Sequence, residues 1–171
     1  MISISNNLTK ETVFLEVSKY IEENKLSYTS KNDSKPWGGY FVVDDANIER
    51  FIELYFPDYP KEKTEKFGGK LSPKILVVEP NKRLSWQYHH RRAELWRVVT
   101  GPVGFIESLD DVQSTVETLE KDEIVQFDQL VRHRLIGLDN WGVVAEIWQH
   151  TDTLNPSDED DIVRVEDDFG R

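Results

Sequence analysis

The chain reads SWQYHHRRAELWRVV over residues 85–99, and this stretch decides how the rest of the sequence is interpreted. If it begins as a strand, Gln87 and His89 project from the same face, because side chains alternate along a strand. Glu94 stands at the start of the apolar run over residues 95–99, which is typical of a second strand folding back antiparallel over the first. The spacing therefore predicts an amide, an imidazole and a carboxylate around one point.

A second imidazole comes from His133, which opens another strand-like stretch. Imidazole nitrogen with amide and carboxylate oxygen suits Zn, Mn, Fe, Co or Ni better than Ca or Mg, and zinc is the metal we expect first. The chain has no cysteine, which argues against a closed structural zinc site. We therefore predict a divalent metal with one position open to water or substrate. Of the other histidines, we expect His90 to face away from the metal and His150 to lie on the surface.

Composition and charge limit the number of domains, the partners and the cellular location that we expect. The 171 residues are 38% hydrophobic, which is typical of one domain with a sizeable core, and we predict a single domain over residues 1–171 with a helical N-terminal extension over about residues 1–34. The formal net charge of −11 argues against nucleic acid and anionic membranes as partners. No apolar segment approaches the roughly 18 residues of a membrane span, and the first residues lack signal-peptide features. We therefore expect a cytoplasmic protein.

Hydrophobic periodicity predicts helices near the start of the chain and strands after it. Residues 9–23 have the spacing of an amphipathic helix, whose N-terminus Thr9 can cap. Apolar residues at helical spacing also predict a helix over residues 45–56. Residues 37–43 read as a strand. From residue 70 onward short strands alternate with turns, as in a sandwich or barrel, and we predict them at residues 74–78, 95–99, 103–106, 113–119, 124–127 and 143–148. The predicted fold class is mostly β.

Four motifs, in order, resemble one family. They are KPWG at residues 35–38, LSWQYHHRRAELW at residues 84–96, HRL at residues 133–135 and DDIVRVEDDFGR at residues 160–171. Together they resemble the cupin domain of type II phosphomannose isomerases over roughly residues 34–171. The resemblance implies a double-stranded β-helix, or jelly roll, preceded by one or two α-helices, with a metal in its mouth.

Carried over by position, the resemblance implies Gln87, His89, Glu94 and His133 as metal ligands. The chain departs from the family at Arg91 and Leu95, where relatives often carry histidine, and the residues before His133 lack the usual proline and glycine. None of these departures falls on a predicted ligand.

Basic residues are the predicted contacts for a sugar phosphate. We predict catalytic roles for Arg92 and Arg164, and weaker substrate-binding roles for Lys74 and Arg171, because guanidinium groups match phosphate oxygens in pairs. Each arginine also has a structural alternative to its functional role. Arg92 could be a solvated ion-pair partner of Glu94, and Arg164 could form ion pairs with the acidic cluster at residues 166–168. We expect Trp37 and Trp96 to be core or pocket-wall residues, and the acidic run at residues 157–161 to be a solvated loop.

The leading hypothesis is a metal-dependent isomerase that interconverts mannose 6-phosphate and fructose 6-phosphate. Such a reaction moves a proton between C1 and C2, and a metal stabilises the developing oxyanion as a Lewis acid. The alternatives are a non-catalytic cupin that senses a sugar or sugar phosphate, and a cupin isomerase or epimerase for another sugar. A small-molecule substrate is the expected partner, and pairing of two copies through their sheets is the assembly that the resemblance suggests.

Overall fold

The computed structural model describes residue 2 and residues 4–170, and strands dominate its architecture. Helix α1 spans Lys10–Glu23 and begins as predicted at Thr9, whose side chain accepts a hydrogen bond from the backbone N of Thr12. A 3₁₀ turn at Asp45–Asn47 leads into α2 at Ile48–Tyr55, and a short helix α3 follows at Lys61–Thr64. Both predicted helices are therefore confirmed. None of the described helices is long and apolar enough to cross a bilayer.

Eleven strands among the described residues form two sheets of antiparallel neighbours. The six-stranded sheet has the order β1-β2-β3-β10-β5-β8, and the five-stranded sheet has the order β11-β4-β9-β6-β7. The strands are β1 Tyr28–Asn32, β2 Gly38–Val43, β3 Leu71–Val78, β4 Trp86–Tyr88, β5 Arg92–Thr100, β6 Val103–Ser108, β7 Glu117–Leu119, β8 Ile124–Phe127, β9 Arg132–Gly137, β10 Gly142–His150 and β11 Val163–Glu166.

The strand positions agree with the sequence pattern, apart from the unpredicted strand β11 and three further differences. The predicted strand over residues 113–119 is confined to β7; residues 113–116 form no strand, and the side chains of Gln113 and Ser114 bond to Glu166 and to the carbonyl oxygen of Glu107. The N-terminal extension contains strand β1 as well as helix α1. The expected antiparallel return of β5 over β4 is wrong, because these strands belong to different sheets.

Side-chain alternation divides the core into two layers. On β3, β5 and β10, odd-numbered residues such as Ile75, Leu95 and Ala145 pack against α1 and α2. Even-numbered residues such as Leu76 and Val144 pack against the other sheet. Both faces of these central strands are buried, which explains why they read as nearly continuous apolar runs.

The inward face of the central strands changes character along its length. Leu76, Val144 and Val98 form an apolar row across β3, β10 and β5. The next inward row along these strands is Lys74, Glu146 and Trp96, and Glu94 belongs to the row after that. The sandwich is therefore apolar in its middle and polar at one end, where a cleft opens.

Candidate metal centre

Three buried side chains converge at the polar end of the sandwich. His89 follows β4, Glu94 points inward from β5 and His133 lies on β9, and their ligand atoms all lie within 4.8 Å of one another. The Nε2 atom of His89 lies 3.1 Å from Oε1 of Glu94, and Nε2 of His133 lies 3.1 Å from Oε2. Each of the three residues is only 2% exposed. The structure thus brings together three of the four predicted ligands from both sheets.

Backbone carbonyls fix both imidazole rings. The Nδ1 atom of His89 lies 2.6 Å from the carbonyl oxygen of Asp161, and Nδ1 of His133 lies 3.0 Å from that of Val131. A carbonyl only accepts, so Nδ1 carries the proton in each ring and Nε2 presents a lone pair to the carboxylate. This is the arrangement by which metal-binding histidines are usually oriented.

The cluster fits a cation. With the proton on Nδ1, the approach of His133 Nε2 to Glu94 Oε2 joins two acceptors and is not a hydrogen bond. Both atoms are buried without a hydrogen-bond partner among the described residues, a situation that costs free energy unless a positive group lies between them. The His89–Glu94–His133 cluster can therefore bind a metal.

The electrostatics of the cluster favour the protonation states that a metal needs. Burial lowers the pKa of His89, so its ring is neutral near pH 7. Burial alone would raise the pKa of Glu94, but the two imidazoles and the Arg92 guanidinium lower it well below its usual range. A neutral imidazole and a charged carboxylate are the forms that coordinate divalent cations.

Gln87 lies beside the cluster. It is the direct cross-strand partner of His133, so both side chains project from the same face of the five-stranded sheet, and it lines the cleft. Its Oε1 accepts a 2.6 Å hydrogen bond from the Ser85 hydroxyl. The ligand role of Gln87 stays a prediction that this position supports.

Arg92 is buried and held by several protein groups. Its Nε donates to Glu94 Oε1 at 2.8 Å, and its Nη2 donates to His89 Nε2 at 3.2 Å. Nη1 donates to the Ser157 hydroxyl at 2.9 Å, and the guanidinium lies 3.6 Å from the centre of the Trp148 ring. The expectation that Arg92 would be a solvated partner of Glu94 is wrong, because the pair is buried. These contacts favour a positioning role, and the catalytic role stays a prediction.

Asp161 supports the site, and sequence reasoning missed it. Its carboxylate accepts 2.9 Å hydrogen bonds from the backbone N of His90 and of Arg91, and a 2.6 Å bond from the Ser157 hydroxyl. The expectation of a solvated loop over residues 157–161 is thus wrong at both ends, because Ser157 and Asp161 are buried. The only sequence signal was the position of Asp161 directly before an apolar pair.

Lys74 and Glu146 face each other across β3 and β10 inside the cleft. Burial lowers the pKa of Lys74, and the carboxylates of Glu146 and Glu159 offset part of that effect. Burial also raises the pKa of Glu146 well above its usual range, and the nearby charge of Glu94 raises it further. Glu146 accepts a 2.9 Å hydrogen bond from the Trp96 indole. Sequence reasoning missed Glu146, although a lone carboxylate inside the apolar run over residues 143–148 was a usable signal.

Of the remaining residues considered in the sequence, some line the cleft and one is buried elsewhere. Arg164 is the cross-strand partner of Gln87 and lines the cleft, together with Trp37 and Trp96. Arg171 lies outside the described residues. The surface position expected for His150 is wrong: its ring is buried and its Nε2 lies 3.0 Å from the Ser72 hydroxyl, because both faces of β10 are covered.

The fold and the cluster define a cupin whose His–Glu–His group can bind a metal. Among solved structures, oxalate decarboxylase of Bacillus subtilis matches with a TM-score of 0.55 and 10% identity over 80% of this chain and 30% of that one. Vicilin of hazelnut, Corylus avellana, matches with a TM-score of 0.53 and 12% identity over 82% of this chain and 36% of that one. At such low identity these likenesses support the fold alone.

Residues 55–167 match the family model described as mannose-6-phosphate isomerase C-terminal, and the chain belongs to that family. The resemblance found in the sequence is thereby confirmed. Mannose-1-phosphate guanylyltransferase of Salmonella montevideo is 27% identical over 91% of this chain and 28% of its own length. The alginate biosynthesis protein AlgA of Pseudomonas aeruginosa is 29% identical over 80% of this chain and 22% of its own length. The chain thus spans less than a third of the length of these relatives.

Proposed function

We propose that the chain is a metal-dependent aldose–ketose isomerase that interconverts mannose 6-phosphate and fructose 6-phosphate. The observation that carries this proposal is the buried His89–Glu94–His133 cluster at the end of a cleft that Lys74 and Arg164 also line. Membership of a family named for mannose-6-phosphate isomerase favours this substrate pair over other sugar phosphates.

His89, Glu94 and His133 would hold the metal, and Gln87 is the fourth donor we propose. Imidazole and carboxylate donors without thiolate suit zinc, which we expect first, and also Mn, Fe, Co or Ni. When bound, the metal supplies a Lewis acid that stabilises negative charge on a sugar oxygen.

Arg92 acts on the substrate indirectly in this proposal. Its guanidinium donates to Glu94 Oε1 and is itself fixed by Ser157 and by the face of Trp148. It therefore keeps Glu94 in position, and together with the two imidazoles it keeps the pKa of that carboxyl low. Its contact with His89 Nε2 would give way to the metal.

Lys74 is the group whose surroundings suit proton transfer best. Its amine lines the cleft 3.5 Å from the centre of the Trp148 ring and forms an ion pair with Glu159, whose side chain is largely exposed. Burial lowers the pKa of Lys74, so its amine gives up a proton more readily than an exposed lysine does. We propose that Lys74 carries the proton between C1 and C2, which extends the substrate-binding role that the sequence predicted for it.

Incubation with mannose 6-phosphate in deuterated water tests the function. With zinc added, the protein should form fructose 6-phosphate with deuterium at C1, and the remaining mannose 6-phosphate should gain deuterium at C2 through the reverse reaction, both followed by NMR. Lys74→Met should abolish both signals while retaining the metal, and Lys82→Met, which alters an exposed lysine outside the cleft, should retain both. Absence of turnover across several hexose and pentose phosphates would contradict the proposal and favour a binding protein, whereas turnover of another sugar would reassign the substrate.

A further inference from the structure

Among the residues that the structure describes, two cations at the cleft have no carboxylate partner, although the chain carries a net charge of −11. Lys35 and Arg164 both line the cleft. Lys74 and Arg92, the other basic residues there, form ion pairs with Glu159 and Glu94. Within residues 2 and 4–170, neither the Lys35 nor the Arg164 side chain forms an ion pair. The described part of the chain therefore leaves two positive charges at the cleft without an ion-pair partner.

The backbone of Lys35 is held in a rigid turn. Its carbonyl oxygen accepts hydrogen bonds from the backbone N of Gly38 at 3.2 Å and from the Lys10 amine at 2.6 Å. Gly38 has φ +135°, and a Cβ there would lie 2.0 Å from the carbonyl oxygen of Val77, so only glycine fits. The Lys35 amine lies 6.0 Å from the centre of the Tyr40 ring, which Lys74 also approaches, at 4.8 Å. The turn thus presents Lys35 to the cleft from a fixed base.

Two of the acidic residues near Arg164 pair with other arginines. Arg83 binds Asp168 at 2.6 Å, and Arg134 binds Glu166 at 3.2 Å. The alternative in which Arg164 is tied into the acidic cluster is therefore not supported by these pairs. Its position opposite Gln87 directs it to the same face of the sheet as the metal cluster.

We propose that Lys35 and Arg164 together bind the phosphate group of a phosphorylated sugar. A phosphate monoester carries a charge of about −1.5 to −2 at pH 7, so two unpaired cations balance it. The guanidinium fork pairs with two of its oxygens, and the lysine acts as a point charge. The identity of the sugar rests on the proposed function, whereas the phosphate contact rests on the charges in the cleft.

Calorimetric titration with mannose 6-phosphate, at fixed zinc concentration, tests the proposal on the full chain. Lys35→Met should weaken binding about 10- to 100-fold, the effect expected for one hydrogen bond to a charged group. Arg164→Met should have a similar effect. The double variant should lose less than the product of the single losses, because one phosphate is shared by both side chains. Inorganic phosphate should compete with mannose 6-phosphate in the wild type.

Lys82→Met is the matched control, because it removes the same charge outside the cleft. Equal thermal midpoints and metal contents in all variants would separate lost phosphate contacts from lost structure. Binding by Lys35→Met and Arg164→Met as tight as by Lys82→Met would overturn the proposal, as would a wild type that binds neither mannose 6-phosphate nor phosphate. If binding depends on Lys35 but no turnover occurs, the phosphate contact is supported and the isomerase function is contradicted. If both variants turn over mannose 6-phosphate with an unchanged KM, the phosphate contact alone is contradicted.

Discussion

At the scale of single residues, the two adjacent histidines have opposite environments. His89 is buried against Glu94, whereas the exposed His90 contributes its backbone N to Asp161. His89→Ala and His133→Ala should therefore lose bound zinc, because each removes one nitrogen from the cluster. His90→Ala should retain it and serves as the control. Elemental analysis after gel filtration measures the difference, and equal metal content in all three variants would contradict the ligand assignment.

Asp161 should act on the metal without touching it. Its carboxylate fixes the turn after His89, and its carbonyl oxygen accepts from the His89 ring. Asp161→Ala should weaken zinc affinity about 10- to 100-fold, the range seen when a group that orients a ligand is removed. Competition with a chromogenic chelator measures the affinity. Asp160→Ala is the control in the same loop, and equal affinities of the two variants would refute the positioning role.

At the scale of elements, helix α1 is tied to the sheet through Phe14. The ring of Phe14 stacks on Phe41 with centroids 5.5 Å apart, and it fills the space that a side chain at residue 39 would need. Phe14→Ala should lower the free energy of unfolding by about 3–5 kcal/mol, because it leaves a cavity in the helix–sheet layer. Leu15→Ala is the neighbouring control: this side chain is 54% exposed, and the change should stay within about 0.5 kcal/mol. Urea unfolding compares them, and equal losses would disprove the packing argument.

The sequence predicted elements better than it predicted their partners. Helical periodicity and a capping threonine were enough for α1, because both signals are local. Alternation also suggested that Gln87 and His89 project from the same face. Alternation does not say which sheet a strand joins, so the three residues between β4 and β5 looked like a hairpin although they cross from one sheet to the other. Glu146 and Asp161 escaped notice because their roles arise from contacts with residues distant in the chain.

At the scale of the whole molecule, buried ionisable groups connect stability to pH. His150 is buried beside Ser72, and burial, together with the charges of Lys70 and Arg92, lowers its pKa from 6.5 to about 4. The unfolded chain therefore takes up a proton on this residue between pH 6.5 and 4 while the folded protein does not. The stability due to His150 is fully present above pH 6.5 and is lost as the pH falls towards 4.

A His150→Gln variant tests this linkage. Between pH 7 and 5 the wild type should lose about 1–2 kcal/mol more free energy of unfolding than the variant, a value reduced for screening of the nearby surface charges. Urea unfolding at several pH values gives both curves. If the free energy of unfolding falls equally with pH in the wild type and the variant, His150 does not contribute to the loss of stability in acid.

We propose that residues 1–171 form one domain, since α1 shares its core layer with the central strands.

Of the three clustered side chains, His133 lies far along the chain from the other two, so it is made later during translation. Glu94 comes from one sheet, and His89 and His133 come from strands or turns of the other, so no single hairpin carries the site. A nascent chain that has emerged only as far as β8 still lacks His133. The three side chains would then meet only after β9 has been made and the two sheets have packed together.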